Sequence, residues 1–425
     1  VRSYPLAPAE ITLENGFSIG RIGTAVGKMD ESRGTLELFS MAEDGPPTNV
    51  VDHPANIGVL PYQSLRNMER EGELRGIDIS PDQFQPASVD LRLGRRAWRV
   101  RASFLPGPKK TVLSRLKELG GDHEMDLTNG AILEKGIVYV VELLEHVRLK
   151  NGLIGASNPK SSTGRLDVLV RLITDEGTAF DRIERGYKGP LYLEVAPQHF
   201  SIRVHHGSRL NQVRFHRGTA VGAPATPAGG IQDLYERGQL IKVAPPRAAL
   251  RGSLVPVTVD LRGENTGGLV GYRAKKTTNV IDINETHKYD PREFWERLED
   301  VGGRLYLDKG EFYILATREE VGVPPHLAAE MVAYDTASGE FRAHYAGFFD
   351  PGFGYVNGKA GGSRAVLEVR SHGVSFMLEH GQIVGWLYYS RLAGGQPDKT
   401  YGAGIGSNYE GQDIALSKHF KPWPA

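Results

Sequence analysis

The sequence predicts a mainly β chain made of two tandem copies of one domain, with few short helices. Three observations carry this reading. Glycine and proline are frequent and spread throughout, 52 and 25 of 425 residues. Between them lie short apolar runs such as Ile137-Val-Tyr-Val-Val, Phe312-Tyr-Ile-Leu and Ile383-Val-Gly-Trp-Leu-Tyr-Tyr. Runs of that length, rich in β-branched and aromatic residues and bounded by turn formers, favour strands. Third, the two halves of the chain repeat each other, which is the signature of duplication.

Taken in order, Met68-Glu-Arg-Glu-Gly72-Glu-Leu74 matches Leu234-Tyr-Glu-Arg-Gly238-Gln-Leu240, each in an amphipathic helical stretch. Gln85-Pro-Ala-Ser-Val-Asp90-Leu-Arg matches Val255-Pro-Val-Thr-Val-Asp260-Leu-Arg. Leu133-Glu-Lys-Gly136-Ile-Val-Tyr139 matches Leu307-Asp-Lys-Gly310-Glu-Phe-Tyr313, and Leu193-Glu194-Val matches Leu367-Glu368-Val. The offset drifts from 166 (Met68 to Leu234) through 170 (Asp90 to Asp260) to 174 (Glu194 to Glu368), as a few loop insertions would make it. Each copy is expected to open with one helix and to carry a second near its middle. In the second copy that middle helix is predicted over Pro291–Val301, with Phe294, Trp295, Leu298 and Val301 as its apolar stripe. The domain boundaries follow: a weakly ordered extension over 1–57, a first domain over 58–217, a low-complexity linker over 218–230, a second domain over 231–390 and a closing tail over 391–425.

Composition limits the function. Basic and acidic residues number 51 each, so no overall field favours a nucleic acid or an anionic membrane, and any polyanion must be small and held by a local cluster. Without cysteine there are no disulfides, thiolate metal sites or cysteine nucleophiles. No apolar run approaches the ~18 residues of a spanning helix, and no basic-then-apolar leader pattern stands out. Cytoplasm is the expected compartment.

The residues with most chemistry are the polar block Ser157-Asn-Pro-Lys-Ser-Ser-Thr-Gly-Arg165 and Glu194 inside the apolar run Leu191-Tyr-Leu-Glu-Val. Hydroxyls, backbone amides and fixed positive charge suit a phosphate. A carboxylate in an apolar strand is costly unless it has a task or a partner. Other features carry less. Asp90 and Asp260 recur at one repeat position, which suits a structural role in bonding backbone amides. The adjacent His205 and His206 would point to opposite faces of a strand and suit surface or interface roles. His199, His344 and His372 lack ligand spacing. Gly402-Ala-Gly-Ile-Gly-Ser407 lacks the strand–helix context of a dinucleotide loop and suits a mobile lid instead.

In order along the chain, Gln85-Pro-Ala-Ser-Val-Asp-Leu-Arg-Leu-Gly94, Ser161-Ser-Thr-Gly-Arg165, Gly186-Tyr-Lys-Gly189 and Leu193-Glu194 resemble the dCTP deaminase branch of the trimeric dUTPase-like family. The resemblance covers about residues 58–425 as two fused copies. It implies two tandem dUTPase-like distorted β-barrel (jelly-roll-like) domains in a homo-oligomer, a trimer of two-domain chains, with active sites between neighbouring subunits. It implies hydrolysis of the 4-amino group of dCTP to dUTP and ammonia without zinc, supplying dUTP for dTTP synthesis. The zinc route needs a His/Cys plus Cys-x-x-Cys set that a cysteine-free chain cannot offer. No tightly bound cofactor is implied; Mg²⁺ would arrive on the triphosphate, and dTTP is an implied inhibitor. Ser161 and Arg165 would hold the nucleophilic water and orient the catalytic carboxylate, and Glu194 stands at the general acid/base position. Lys160, Ser162, Gly164 and Arg182 would serve nucleotide and phosphate.

The second copy departs from this pattern. Its counterpart of the Ser-Ser-x-x-Arg block is Ala333-Tyr-Asp-Thr-Ala337, without the hydroxyl pair and the arginine. It keeps Glu368 and a hairpin, Ala346-Gly-Phe-Phe-Asp350-Pro-Gly-Phe353, that resembles the family's base-recognition element. It alone has a tail in which Tyr401, Tyr409 and Gln412 fall at the family's spacing, with Asn408 where a lysine is expected. Two arrangements fit. Either first copies make complete sites with Ser161, Arg165 and Glu194, or each site is hybrid, pairing Ser161, Ser162 and Arg165 with Glu368 and the hairpin. Arg182 near Glu194, against Phe348 at the equivalent place near Glu368, favours the first. Rival functions are a dUTP diphosphatase, a bifunctional enzyme, or a nucleotide-binding regulator without turnover.

Overall fold

The computed structural model describes residues 56–424, apart from 122, 151, 219–229, 243–249, 252–253, 265, 300, 334–340, 345–346, 372 and 403–412. The predicted extension, all but its last two residues, and nearly all of the linker lie outside the described residues.

The longest strand of the first copy, Val138–Arg148, explains how its sheet is built. Along its second half the side chains alternate, with Leu143, Glu145 and Val147 buried between more exposed neighbours. One face therefore meets the core and the other meets solvent. This strand lies inside a six-stranded sheet whose path runs Glu124–Asp126, Leu93–Val100, Val138–Arg148, Lys188–Pro197, Val168–Thr174, with Leu74–Arg75 also on Val138–Arg148. A second sheet runs Gly58–Val59, Asn211–Arg217, Leu153–Pro159, Arg182–Ile183, with Val89–Leu91 also on Asn211–Arg217. All of these pairings are antiparallel.

The second copy repeats that wiring. Its larger sheet runs Trp295–Glu299, Leu269–Ala274, Phe312–Val321, Arg364–Ser371, Phe341–His344, with Ile241–Lys242 also on Phe312–Val321. Its smaller sheet runs Leu254–Thr258, Ile383–Arg391, Leu327–Ala333, Phe348–Phe349. Each copy adds a two-strand ribbon, Ala131–Leu133 with Ile202–Val204 and Arg304–Leu307 with Phe376–Glu379. The duplication read from short sequence matches thus extends to the order of strands. Helices are few and short: Tyr62–Arg70, Val112–Glu118, Ser161–Gly164, Gly230–Glu236 and Pro291–Phe294. None among the described residues is long and apolar enough to cross a membrane.

Two expectations change. The predicted helix over Pro291–Val301 stops at Phe294, and Trp295–Glu299 is a strand. Asp290 caps the single turn by accepting from the Arg292 amide at 2.9 Å, with Pro291 at the first position. The chain then pairs with Leu269–Ala274, placing Glu296 opposite Arg273, and the two side chains form an ion pair at 2.5 Å. A cross-strand partner outweighs a helical spacing of apolar residues. The end of the tail is also part of the core. Phe420 is buried against Phe294 and Trp295, with ring centroids 5.3 and 6.0 Å away, and Trp423 meets Tyr272 at 5.4 Å. Ile414 and Leu416 pack on the same apolar cluster, which contains residues of both copies. The copies are joined further by a parallel pairing of Ile202–Val204 with Ile281–Asp282. Removing the chain beyond Arg391 would therefore open the core as well as the site.

Phe420→Ala is expected to lower stability by about 3 kcal/mol, the cost of emptying a buried aromatic site. Denaturant unfolding measures it, and a loss below about 1 kcal/mol would show that the tail only rests on the surface.

Candidate active site

The strand Leu153–Pro159 ends at Pro159, whose ring withholds an amide from the ladder. The chain turns at once into the single helical turn Ser161–Gly164, closed by the Thr163 and Gly164 amides on the Lys160 carbonyl at 2.8 and 3.0 Å. Ser162, Thr163, Gly164 and Arg165 are buried by that turn. Asp167 then takes a left-handed conformation, φ 55°, which an aspartate tolerates, and directs the chain into Val168–Thr174. Polar groups from the end of one strand are thereby gathered at a cleft of about 970 Å³.

The opposite wall comes from the second copy. Lys160, Ser161, Ser162, Gly164 and Arg165 face Phe349, Asp350, Phe353 and Glu368 across this space, and Tyr401 and Lys418 line it as well. Arg165 lies with its Nε 4.0 Å from Glu368 Oε1 and donates from Nη1 to the Ala415 carbonyl at 2.9 Å. Burial pushes the Glu368 carboxyl up to about 8; Arg165 opposes the shift and Asp167 adds to it. A second ion pair runs beside the first, with Arg370 on Asp167. The two pairs are rungs between the copies, since Arg165 and Asp167 are two residues apart in one strand entrance and Glu368 and Arg370 two apart in one strand.

Glu194 is placed differently. It accepts from Arg171 Nε at 2.8 Å and Nη2 at 2.5 Å, and Arg171 also donates to Ser103 Oγ at 2.6 Å and stacks at 3.8 Å on Phe180. Arg171 is the residue directly opposite Glu194 in the ladder, whereas His344 holds that register position opposite Glu368. Within the chain, then, the residues of the hybrid arrangement are the ones brought together, whereas the Glu194 carboxylate is held by its own sheet and does not line this cleft. Arg182 does not line it either. It pairs in the ladder with Ala156, and its Nε lies 3.8 Å from Glu184 Oε1.

The described part of the hairpin, Phe348 to Phe353, lies along the cleft. Phe349 and Phe353 meet edge to face at 5.1 Å, Phe353 and Tyr401 at 5.2 Å, and the Tyr401 amide donates to the Pro351 carbonyl at 2.8 Å. Lys160 forms an ion pair with buried Asp90. Asp260, its counterpart, accepts from the Arg262 and Gly263 amides at 3.0 Å each, as a structural aspartate should, and takes Arg364 at 2.9 Å. His205 pairs with Asp282 of the other copy at 3.0 Å, an interface role, and His199 meets the Lys275 carbonyl at 2.9 Å. Ala346, Tyr409, Gln412 and His372 lie outside the described residues. Among those described, no three His, Asp or Glu side chains come close enough together to hold a metal ion.

One residue that sequence reasoning missed is Arg214. It is fully buried in the first copy and donates to the Ala87, Ala329 and Phe349 carbonyls at 3.3, 2.9 and 3.2 Å. It also reaches Asp350 at 3.2 Å and lies 4.1 Å over the Phe348 ring. Burial raises the carboxyls of both Asp350 and Glu330, and this guanidinium counteracts the rise in each. The available signal was the one that singled out Glu194: a charge isolated in an apolar strand, Val213-Arg214-Phe215.

Comparison with known proteins shows the family. Residues 56–219 match the N-terminal domain of 2'-deoxycytidine 5'-triphosphate deaminase, and residues 228–420 match its C-terminal domain. The chain belongs to the dCTP deaminase family. It is similar to the crystal structure of 2'-deoxycytidine 5'-triphosphate deaminase from Agrobacterium tumefaciens, at 47% identity and a TM-score of 0.73, over 79% of this chain and 99% of that one. It is 32% identical over 129 residues to the dCTP deaminase of Haemophilus ducreyi, which is 28% of this chain and 63% of that protein. It is 27% identical over 170 residues to a dUMP-forming dCTP deaminase of Methanoculleus marisnigri, 39% of this chain and 84% of that protein. The fold is that of this hydrolytic deaminase family, a mainly β chain of two domains.

Arg214→Met is expected to destabilise the protein by about 3–5 kcal/mol, because it strands two buried carboxylates. Thermal and denaturant unfolding check this. A loss under about 1 kcal/mol would mean the hairpin is fixed without Arg214.

Proposed function

We propose that the chain deaminates dCTP to dUTP and ammonia in the hybrid cleft, with Glu368 as the general acid/base. The observation that carries this is Glu368 of the second copy, buried 4.0 Å from Arg165 of the first, with its carboxyl pushed up to about 8. A base tuned towards neutrality can both take and return a proton. In the proposed sequence Glu368 takes a proton from a water held by Ser161 and Arg165. The hydroxide bonds to C4 of the cytosine, and Glu368 passes its proton to N3. It then takes the proton of the new C4 hydroxyl and delivers it to the amino group. The C4–N bond breaks, ammonia leaves, and C4 becomes the carbonyl of uracil. Phe349 and Phe353 would flank the base. Lys160, Ser162 and the turn amides would face the phosphates, with magnesium carried on the triphosphate. The cysteine-free composition supports water activation by the carboxylate, since the zinc deaminases draw ligands from cysteine.

A second reading, supported by the likeness to the dUMP-forming protein of Methanoculleus marisnigri, adds loss of pyrophosphate in the same cleft. Incubation with dCTP, CTP and dUTP, following ammonia and pyrophosphate separately, decides between them. Ammonia from none of the three would overturn the deaminase proposal, and pyrophosphate from dUTP would establish the second activity.

Glu368→Gln is expected to lower the rate of ammonia release at least about 100-fold, the typical share of a general base. Glu194→Gln should lose stability through Arg171 and keep turnover while folded; the reverse result would restore Glu194 as the base. The base is the carboxylate, so kcat/KM for dCTP should rise with pH and level off above about 8. A profile flat from pH 6 to 9 would count against Glu368.

With Glu194 tied to Arg171, calorimetric titration with dUTP should give one site per chain. Two sites per chain would contradict the hybrid assignment.

A further inference from the structure

Beside the 4.0 Å gap between Glu368 and Arg165 runs a bonded ion pair of the opposite polarity. Asp167 follows Arg165 by two residues, Arg370 follows Glu368 by two, and the two side chains meet between the copies. Asp167 is 1% exposed, with its amide on the Gly164 carbonyl at 2.9 Å and its carbonyl taken by the Gln198 amide at 2.8 Å. Arg370 is held from the other side, donating from Nη1 to the Gly310 carbonyl at 2.7 Å. The duplicated positions carry neither charge. Two residues after Glu194 stands Ala196, and two after Ala337, the counterpart of Arg165, stands Gly339. Both charges are thus present on the halves that meet at Glu368 and missing from the halves that do not.

We propose that Asp167 and Arg370 are positioning residues for Glu368: their ion pair holds the strand of one copy against the turn of the other, and it binds up the charge of a second guanidinium beside the carboxyl. This rests on the reading of Glu368 as the base and specifies what sets the pH at which it works. Glu368 and Arg370 alternate along the strand Arg364–Ser371, so both side chains leave the same face. A guanidinium without a carboxylate at that spacing would keep Glu368 ionised and weaken it as a proton acceptor. Bonded to Asp167, it belongs to a pair with no net charge. The charged groups that bear on Glu368 are then Arg165, which lowers its carboxyl, and Asp167, which raises it. In the ladder Ile314 stands opposite Glu368 on one side and His344 on the other. Arg370 also bears on His199, whose ring burial holds below the ordinary imidazole range, so it adds no charge where Glu368 titrates.

The test reads the Glu368 carboxyl directly, in the full chain labelled with glutamate carrying carbon-13 in its side-chain carboxyl. The Glu368 resonance is assigned by its loss in Glu368→Gln. Asp167 has φ 55°, which asparagine also adopts, so Asp167→Asn keeps the backbone and the shape while removing one charge. Arg370→Gln removes the other, and thermal unfolding checks that each variant is folded. The titration midpoint of Glu368 is expected to fall by about one pH unit in Asp167→Asn, where the pair becomes net positive. It should rise in Arg370→Gln, where the pair becomes net negative, and stay near its original value in Arg370→Lys. The double variant is neutral again and should return the midpoint towards that of the unaltered chain. The acid limb of kcat/KM for dCTP should follow the midpoint in each variant, which a loss of packing alone would not produce. An unmoved midpoint in Asp167→Asn, or shifts of one sign in both single variants, would overturn the proposal. A midpoint that moves while the limb stays would instead overturn Glu368 as the base, so the two readings fail in different ways.

Discussion

Burying one carboxyl between two copies of a domain is the constraint on which the site depends. A carboxylate of this kind is expensive to desolvate, and its charge can be kept only by a cation close enough to matter. Glu368 has Arg165 at 4.0 Å, longer than a bonded ion pair, so burial outweighs attraction and the carboxyl rises to about 8. The neighbouring rung, Arg370 on Asp167, fixes the distance between the two copies at this point. A shorter Arg165 contact would leave a strong ion pair and a poor proton acceptor. A missing one would leave a neutral acid.

The same economy of charge holds the other wall. Arg214 reaches through the interface and satisfies backbone carbonyls of the second copy while its charge faces Asp350 and Glu330. It makes the aromatic hairpin rigid without filling the cleft. The terminal segment closes the third side through the Ala415 carbonyl on Arg165 and Ser417 on the Ser162 carbonyl. Three stretches far apart in sequence, near 165, 350 and 415, therefore meet by polar contacts whose partners lie in a different copy or in the tail.

That explains what the sequence made legible. Strand runs, turn formers and the duplication are local or periodic signals, and the wiring of both sheets followed them. The Ser161–Arg165 turn and the Phe349–Phe353 hairpin were also readable, because each is a contiguous block. The helix over Pro291–Val301 failed because Trp295 pairs across a strand 21 residues away at Ala274, which no window of that size contains. The ion pair that holds Glu194 was hidden for a related reason. The weight given to Arg182 ignored the residue directly across the ladder, and Arg171 sits 23 positions before Glu194. The charges of Arg165-Leu-Asp167 and Glu368-Val-Arg370 are reversed images at the same spacing, and that pattern was available to the eye.

Duplication gives a physical account of why one glutamate lines the cleft and its twin does not. After duplication both positions inherit a carboxylate in the middle of an apolar sheet, and each has to be neutralised, paired or used. In the first copy the ladder position opposite is arginine, and Arg171 grips Glu194 by two nitrogens while Phe180 and Ser103 hold the guanidinium in place. Both contacts fall on Oε1, and the carboxylate stays within its own sheet. In the second copy that ladder position is histidine, and the cation has to come from the other copy, through a turn whose own counterpart has lost its hydroxyls and arginine. The second copy lacks the block, and in the first copy Arg171 bonds the glutamate. The cleft between the copies brings the surviving block and Glu368 together.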